Sequence, residues 1–169
     1  ANKIIQDNKG NYLLYIWGEN NVWSLSHDLT QLKSIPLISA NPGNKRGIGY
    51  YGKFLFRDEA GAISQSEGRL YKTSFTDNTV TEYPITNSYT MSGLFYKSEI
   101  MMHGNDELII VDAQTFVPIK RIPFKNTGYV RCFASDAAGN IFVGCNKGIF
   151  KIDSSGNILQ HFTKENGLP

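Results

Sequence analysis

Three histidines, two cysteines and two adjacent carboxylate pairs are the residues of this chain that could do chemistry. His27, His103 and His161 show none of the short spacings, such as H-x-E-x-H or H-x₃-H, that put two imidazoles on one metal. No metal and no cofactor are therefore expected. Asp58-Glu59 and Asp106-Glu107 read as solvated turn carboxylates. A glycosidase pair distant in sequence would be defined by geometry and not by spacing. No serine sits in a G-x-S-x-G context. Gly43-Asn44-Lys45-Arg46-Gly47 is too short, and wrongly placed, for a phosphate loop. No catalytic residue is expected, and the segment reads as a non-enzyme.

Cys132 and Cys145 lie on consecutive strand-like runs either side of a turn centred near Ala138 and Gly139. In register they would face each other. A directly opposed, non-hydrogen-bonded pair has Cα atoms about 4.5 Å apart, the short end of what a disulfide tolerates. Two readings stay open: a disulfide, or two thiols packed as small apolar side chains. A slip of one residue would put them on opposite faces.

The elements that must position these residues are short strands. Hydrophobic residues make up 41% and charged residues 19% of the 169, a composition that folds rather than staying disordered. No apolar run approaches the roughly 20 residues of a membrane span. The net charge of +2 comes from 17 basic and 15 acidic residues interspersed along the chain. Nucleic-acid binding would gather the basic ones on one face, so it is not expected.

A unit of four strand-like runs recurs. In the last copy, Val130 to Ser135 alternates with period two, and Asp136-Ala137-Ala138-Gly139-Asn140 turns. Ile141 to Cys145, Ile149 to Asp153 and Ile158 to Thr163 follow as the next three runs. The first copy repeats the layout, with Asp7-Asn8-Lys9-Gly10-Asn11 in the place of Asp136 to Asn140. Gly10 and Gly139 are the positions where such a turn needs a positive φ. The third runs begin at Val22, Leu70, Leu108 and Ile149, spacings of 48, 38 and 41 residues. Their mean of about 42 matches a four-stranded blade. No apolar period of 3.6 persists beyond two turns, so almost no helix is expected.

The period predicts an all-β chain: a β-propeller segment of about four antiparallel blades, approximately 1–36, 48–84, 93–124 and 129–163. A four-stranded blade has two apolar faces and buries both only by packing against neighbours. In that architecture the inter-blade connections and the turns between second and third strands share one rim. Asn44, Lys45, Arg46, Tyr89, His103, Tyr129, Asn146 and Lys147 map there. Flat aromatics beside planar polar donors suit a sugar. The longest rim segments, Ser39 to Gly47 and Asp58 to Gly68, are the first places to look.

Residues Asp136-Ala137-Ala138-Gly139-Asn140-Ile141-Phe142-Val143-Gly144-Cys145-Asn146-Lys147-Gly148-Ile149-Phe150-Lys151-Ile152-Asp153 resemble the two-component regulator propeller repeat. Its pattern runs D-x-x-G-N, a hydrophobic-Trp-hydrophobic strand, G-T-x-x-G and a further strand. The closing Asn166-Gly167-Leu168-Pro169 resembles its lead into a following blade. The match is strong over about the last 40 residues, fair over 1–36 and weak between them. Phe142 stands for the usual Trp and Cys145 for the usual Thr. The resemblance implies the periplasmic sensor region of a bacterial hybrid histidine kinase, responsive to oligosaccharides. It also implies part of a larger ring, with neighbouring blades or a second copy against its open faces. The expected function is non-catalytic ligand sensing in signal transduction. A protein-interaction platform and a propeller lyase or hydrolase are the alternatives, the last needing His103 with an acidic or metal partner.

Overall fold

The computed structural model describes residues 3–6, 9–15, 21–36, 38–39, 53–57, 60–66, 68–86 and 92–168. The chain divides into two compact units, Ala1–Ile85 and Thr86–Pro169. Each holds two sheets of consecutive antiparallel strands, one of them extended by a short parallel edge strand.

In the first unit, β1 (Lys3–Gln6), β2 (Tyr12–Tyr15), β3 (Asn21–Leu25) and β4 (Leu32–Pro36) lie side by side in chain order. The second sheet comprises β5 (Ile38–Ser39), β6 (Lys53–Arg57), β7 (Gly61–Ser66), β8 (Arg69–Ser74) and β9 (Thr79–Pro84). Four of these five form the expected meander. The two-residue β5 is an addition, pairing parallel with the outer edge of β9 through Ile38 and Ser39 against Thr79 and Val80. An edge strand's unpaired backbone groups are a ready template for such a contact.

Register decides which side chains make the core. Ile35 pairs with Val22, which shares a face with Leu13. Val80 and Ala62 both oppose Thr73, which shares a face with Tyr71. These two apolar faces form one cluster in which every member is at most 8% exposed. Each fully buried aliphatic side chain contributes about 1.5–3 kcal/mol relative to exposure.

The second unit repeats the plan. Its first sheet is β10 (Gly93–Tyr96), β11 (Glu99–His103), β12 (Glu107–Asp112) and β13 (Pro118–Pro123). Its second is β14 (Val130–Ser135), β15 (Ile141–Cys145), β16 (Gly148–Ile152) and β17 (Ile158–Phe162). Met101, Leu108 and Ile110 from one sheet meet Phe133, Ile141, Val143, Phe150 and Ile152 from the other, with Phe124 among them. The only helical turn among the described residues is a 3-10 turn at Lys164–Asn166.

The Asp-x-x-Gly-Asn turns have one geometry in two places. In the β14–β15 hairpin the Asn140 N–H donates to Asp136 Oδ1 (2.8 Å) and its Nδ2 to Oδ2 (2.7 Å). In the β16–β17 hairpin Asn157 makes the same two bonds to Asp153, both 2.8 Å. Gly139 and Gly156 take φ of 86° and 85°, the conformation that only glycine adopts without strain.

Five turn aspartates consequently hold their protons weakly. Ser26 and Thr30 draw Asp28 down to about 2. Asp77 is lowered first by the Ser74 hydroxyl, Asp112 by the Thr115 N–H, Asp136 by the Asn140 side chain and Asp153 by the Asn157 side chain. The unfolded chain therefore binds more protons than the folded one below its unperturbed value of 3.8. Stability from these turns is complete above that value and fades as pH falls toward the folded values. Melting temperature is expected to decline between about pH 4 and pH 2. An Asp136→Asn/Asp153→Asn double variant should show a shallower decline over that window; an unchanged slope would refute the assignment.

Candidate functional site

Within the second unit, three short segments meet at one end of the sheets. The first is the β11–β12 turn, from His103 through Asn105 and Asp106. Its geometry is fixed by the Gly104 N–H donating to Glu107 O at 2.8 Å and by a positive φ of 54° at Asp106. The second is the connection from β13 to β14, anchored by the Phe124 N–H on Asp106 O at 2.7 Å. It turns at Asn126 and Gly128, with φ of 62° and 72°. The third is the β15–β16 turn carrying Asn146 and Lys147. Asn146 N–H donates to Tyr129 O at 3.2 Å, tying this turn to the connection. A side chain at position 128 would meet Asn146 Cβ at 3.1 Å, so the glycine lets the two segments close up.

Together they enclose an open cleft of about 930 Å³. His103, Asn105 and Asp106 line one side, and Asn126, Gly128, Tyr129, Val130, Arg131 and Lys147 the other. Tyr129 is 70% exposed, an unusual posture for a large aromatic ring. Arg131 donates from Nε to Asn146 Oδ1 at 3.1 Å, and its guanidinium carbon lies 5.6 Å from the Tyr129 ring centre. Burial pushes His103 below the usual histidine value, opposed by Asp106 and Glu107. The imidazole is therefore neutral at pH 7, able to donate from one nitrogen and accept at the other.

Behind the cleft, His161 braces the third segment. Its Nε2 lies 2.9 Å from Lys147 O, and its ring stacks on Phe150 at 3.9 Å. Phe150 in turn meets Phe124 edge to face at 5.1 Å.

Of the residues that sequence reasoning placed on the rim, His103, Tyr129 and Lys147 line the cleft and Asn146 braces it. Asn44, Lys45, Arg46 and Tyr89 lie outside the described residues, as does most of Ser39 to Gly47. Asp58 to Gly68 is not the rim segment expected: its Gly61–Ser66 stretch is β7, paired on both sides and buried at Ala62 to Gln65. Arg131, Asn105, Asp106 and Asn126 went unselected as binding residues. A signal for Arg131 existed. Strict alternation in Val130-Arg131-Cys132-Phe133 puts Val130 and Phe133 on opposite faces, yet both are apolar and three apart. A bulge lets both face the core, and the ladder breaks there.

The hairpin register settles the cysteines. The rungs from Cys132–Gly144 to Ser135–Ile141 centre the β14–β15 hairpin on Ala138, and Cys145 pairs with Val130 beyond the bulge, so the two thiols do not face each other. Both are free, Cys132 exposed and Cys145 half-buried. Burial raises the Cys145 thiol, whose Sγ donates to Gly148 O at 3.3 Å. Among the described residues no group of three or more His, Cys, Asp or Glu could hold a metal ion. None of their helices is long and apolar enough to cross a membrane.

No protein-family profile matches the chain, and no curated protein matches it. Solved structures do. The Neurospora crassa Pan2 WD40 domain aligns with a TM-score of 0.70 at 15% identity, over 95% of this chain and 49% of that one. A streptogramin B lyase aligns at 0.70 and 14%, over 95% and 53%. The dihydro-heme d1 dehydrogenase NirN, in complex with DHE, aligns at 0.67 and 13%, over 92% and 35%. The chain thus spans about half, or less, of the length of each. At such identities the likeness carries the fold alone: an all-β stretch of β-propeller built from four successive blades.

Proposed function

We propose that this chain is a ligand-sensing stretch of a β-propeller that binds an oligosaccharide in the cleft of its second unit and does not transform it. One observation carries the reading: an exposed aromatic ring, Tyr129, stands in a cleft lined mostly by hydrogen-bonding side chains on three braced segments. Sugars offer a C–H face to such a ring and hydroxyls to such neighbours. The repeat resemblance over Asp136 to Asp153 supports placing the module in the periplasmic region of a hybrid two-component receptor.

The interaction-platform alternative has less support. Leu32 on β4 and Ile119 on β13 are exposed outer-strand apolar residues, but Lys33, Lys120 and Arg121 stand beside them. Lysine and arginine on an edge discourage pairing with another chain.

A thermal-shift screen against neutral and acidic oligosaccharides tests the proposal. A ligand at 100 times its Kd adds about 2.7 kcal/mol to stability. In a chain of this size that raises the melting temperature by about 5–10 °C. The shift should shrink in Tyr129→Ala, and the oligosaccharide should be recovered intact after prolonged incubation. Absence of any shift across the panel overturns sensing by this cleft. Cleavage of the ligand, lost in His103→Ala, would favour a lyase or hydrolase instead.

A further inference from the structure

Arg131 owes its position to a break in the ladder. β14 pairs with β15 as Val130 to Cys145 and then Cys132 to Gly144, which leaves Arg131 as the extra, unpaired residue of a bulge. Bulges re-aim a side chain, and this one belongs to the cleft lining. Its guanidinium is held by Asn146 Oδ1 at Nε and by the Tyr129 ring, which leaves the two terminal nitrogens uncommitted among the described residues. Lys147, from the facing turn, likewise has no acidic partner among them. A guanidinium fixed at Nε with its terminal fork open is matched in shape to a carboxylate.

We infer that the cleft takes a carboxylate-bearing sugar, a uronic-acid unit of an oligosaccharide, with the carboxylate on Arg131 and Lys147 and the pyranose ring against Tyr129. This rests on the oligosaccharide reading above and narrows it. Asp106 is the single carboxylate on the lining, so the two cations, Arg131 and Lys147, outnumber it. One added anion balances the set; a neutral sugar would leave a cation uncompensated as the cleft is covered. Asp106 and neutral His103 are left to the hydroxyls.

The test titrates the full chain calorimetrically with a trigalacturonide and with the same oligomer after reduction of its carboxyls to alcohols. Charge-assisted bidentate bonding predicts about 10- to 100-fold tighter binding of the acid. That preference should weaken with salt and vanish in Arg131→Ala. Arg131→Lys should recover only part of it, because an ammonium is a point charge without the fork. If Arg131→Ala melts lower than the parent, Lys147→Ala carries the test, with a several-fold loss confined to the acid. Equal affinity for both oligomers would overturn the carboxylate assignment and leave the oligosaccharide reading standing. Binding of neither overturns both. Full competition by acetate at matched ionic strength would also overturn it, since the site would then read the anion without the sugar. So would an acid preference that survives in both variants.

Discussion

Gly148→Ala should be the most damaging small substitution in the second unit, costing about 2–5 kcal/mol. Two causes add. Gly148 has φ of 117°, where a Cβ meets its own backbone, a strain of about 1–2 kcal/mol. The new Cβ would also stand 2.1 Å from the Phe162 carbonyl oxygen, which is backbone of the paired strand and not the movable end of a side chain. Relief requires β16 and β17 to separate, and overpacking of that kind costs about 1–3 kcal/mol or more. Gly167 supplies the control. Its φ is 127°, yet nothing lies within 4 Å of where its Cβ would go. Gly167→Ala should therefore show the conformational strain alone. Denaturant midpoints for the two variants separate the causes, with the melting temperature of Gly148→Ala lower by about 5–20 °C. Equal losses would mean that the carbonyl contact carries no weight.

The recurrence of Asp-x-x-Gly-Asn at 136–140, and the hydrophobic runs at Val22, Leu70, Leu108 and Ile149, placed four sheets and their order. They did so because period-two patterning and turn chemistry are local, and each copy repeats them. The rim logic followed: second-to-third turns and inter-blade connections come together, which is why Tyr129 and Lys147 share a cleft with His103. One residue of register was not legible. Turn chemistry places the hairpin centre near Ala138 and Gly139 without fixing it, and a half-residue difference moves Cys132 from opposite Cys145 to opposite Gly144. The bulge at Arg131 leaves only a trace, the apolar Val130 and Phe133 three residues apart. The parallel β5 was equally hidden, since an edge contact of two residues imposes no pattern. Nor does spacing reveal positive φ at Asp106 and Asn126, which any polar turn could avoid and which here turn the segments toward each other.

Phe124→Ala is the second large effect expected, because this side chain joins the core to the cleft. It is 1% exposed and lies in the cluster between the two sheets of its unit. Truncating a buried phenylalanine costs about 3–5 kcal/mol, from lost burial and the cavity left behind. The consequence should extend beyond stability. Phe124 holds the β11–β12 turn through its N–H on Asp106 O, and its ring supports Phe150, which stacks under His161. His161 in turn holds Lys147 O. Both walls of the cleft therefore meet at one residue, but truncation keeps the N–H on Asp106 O and removes only the support that reaches Lys147 through the stack of rings. Phe124→Leu refills most of the volume and should recover much of the stability, but it cannot rebuild the edge-to-face contact. Hydrogen exchange under native conditions reads the difference. The Asn146 amide, bonded to Tyr129 O across the cleft floor, should lose protection in Phe124→Ala beyond the global loss, and retain an intermediate level in Phe124→Leu. Asn146 protection that fell only in step with the core strands would show that the residue supports the sheets and nothing more. Local loosening at Asn146, with β12 and β16 still protected, would show that the ring stack positions Lys147.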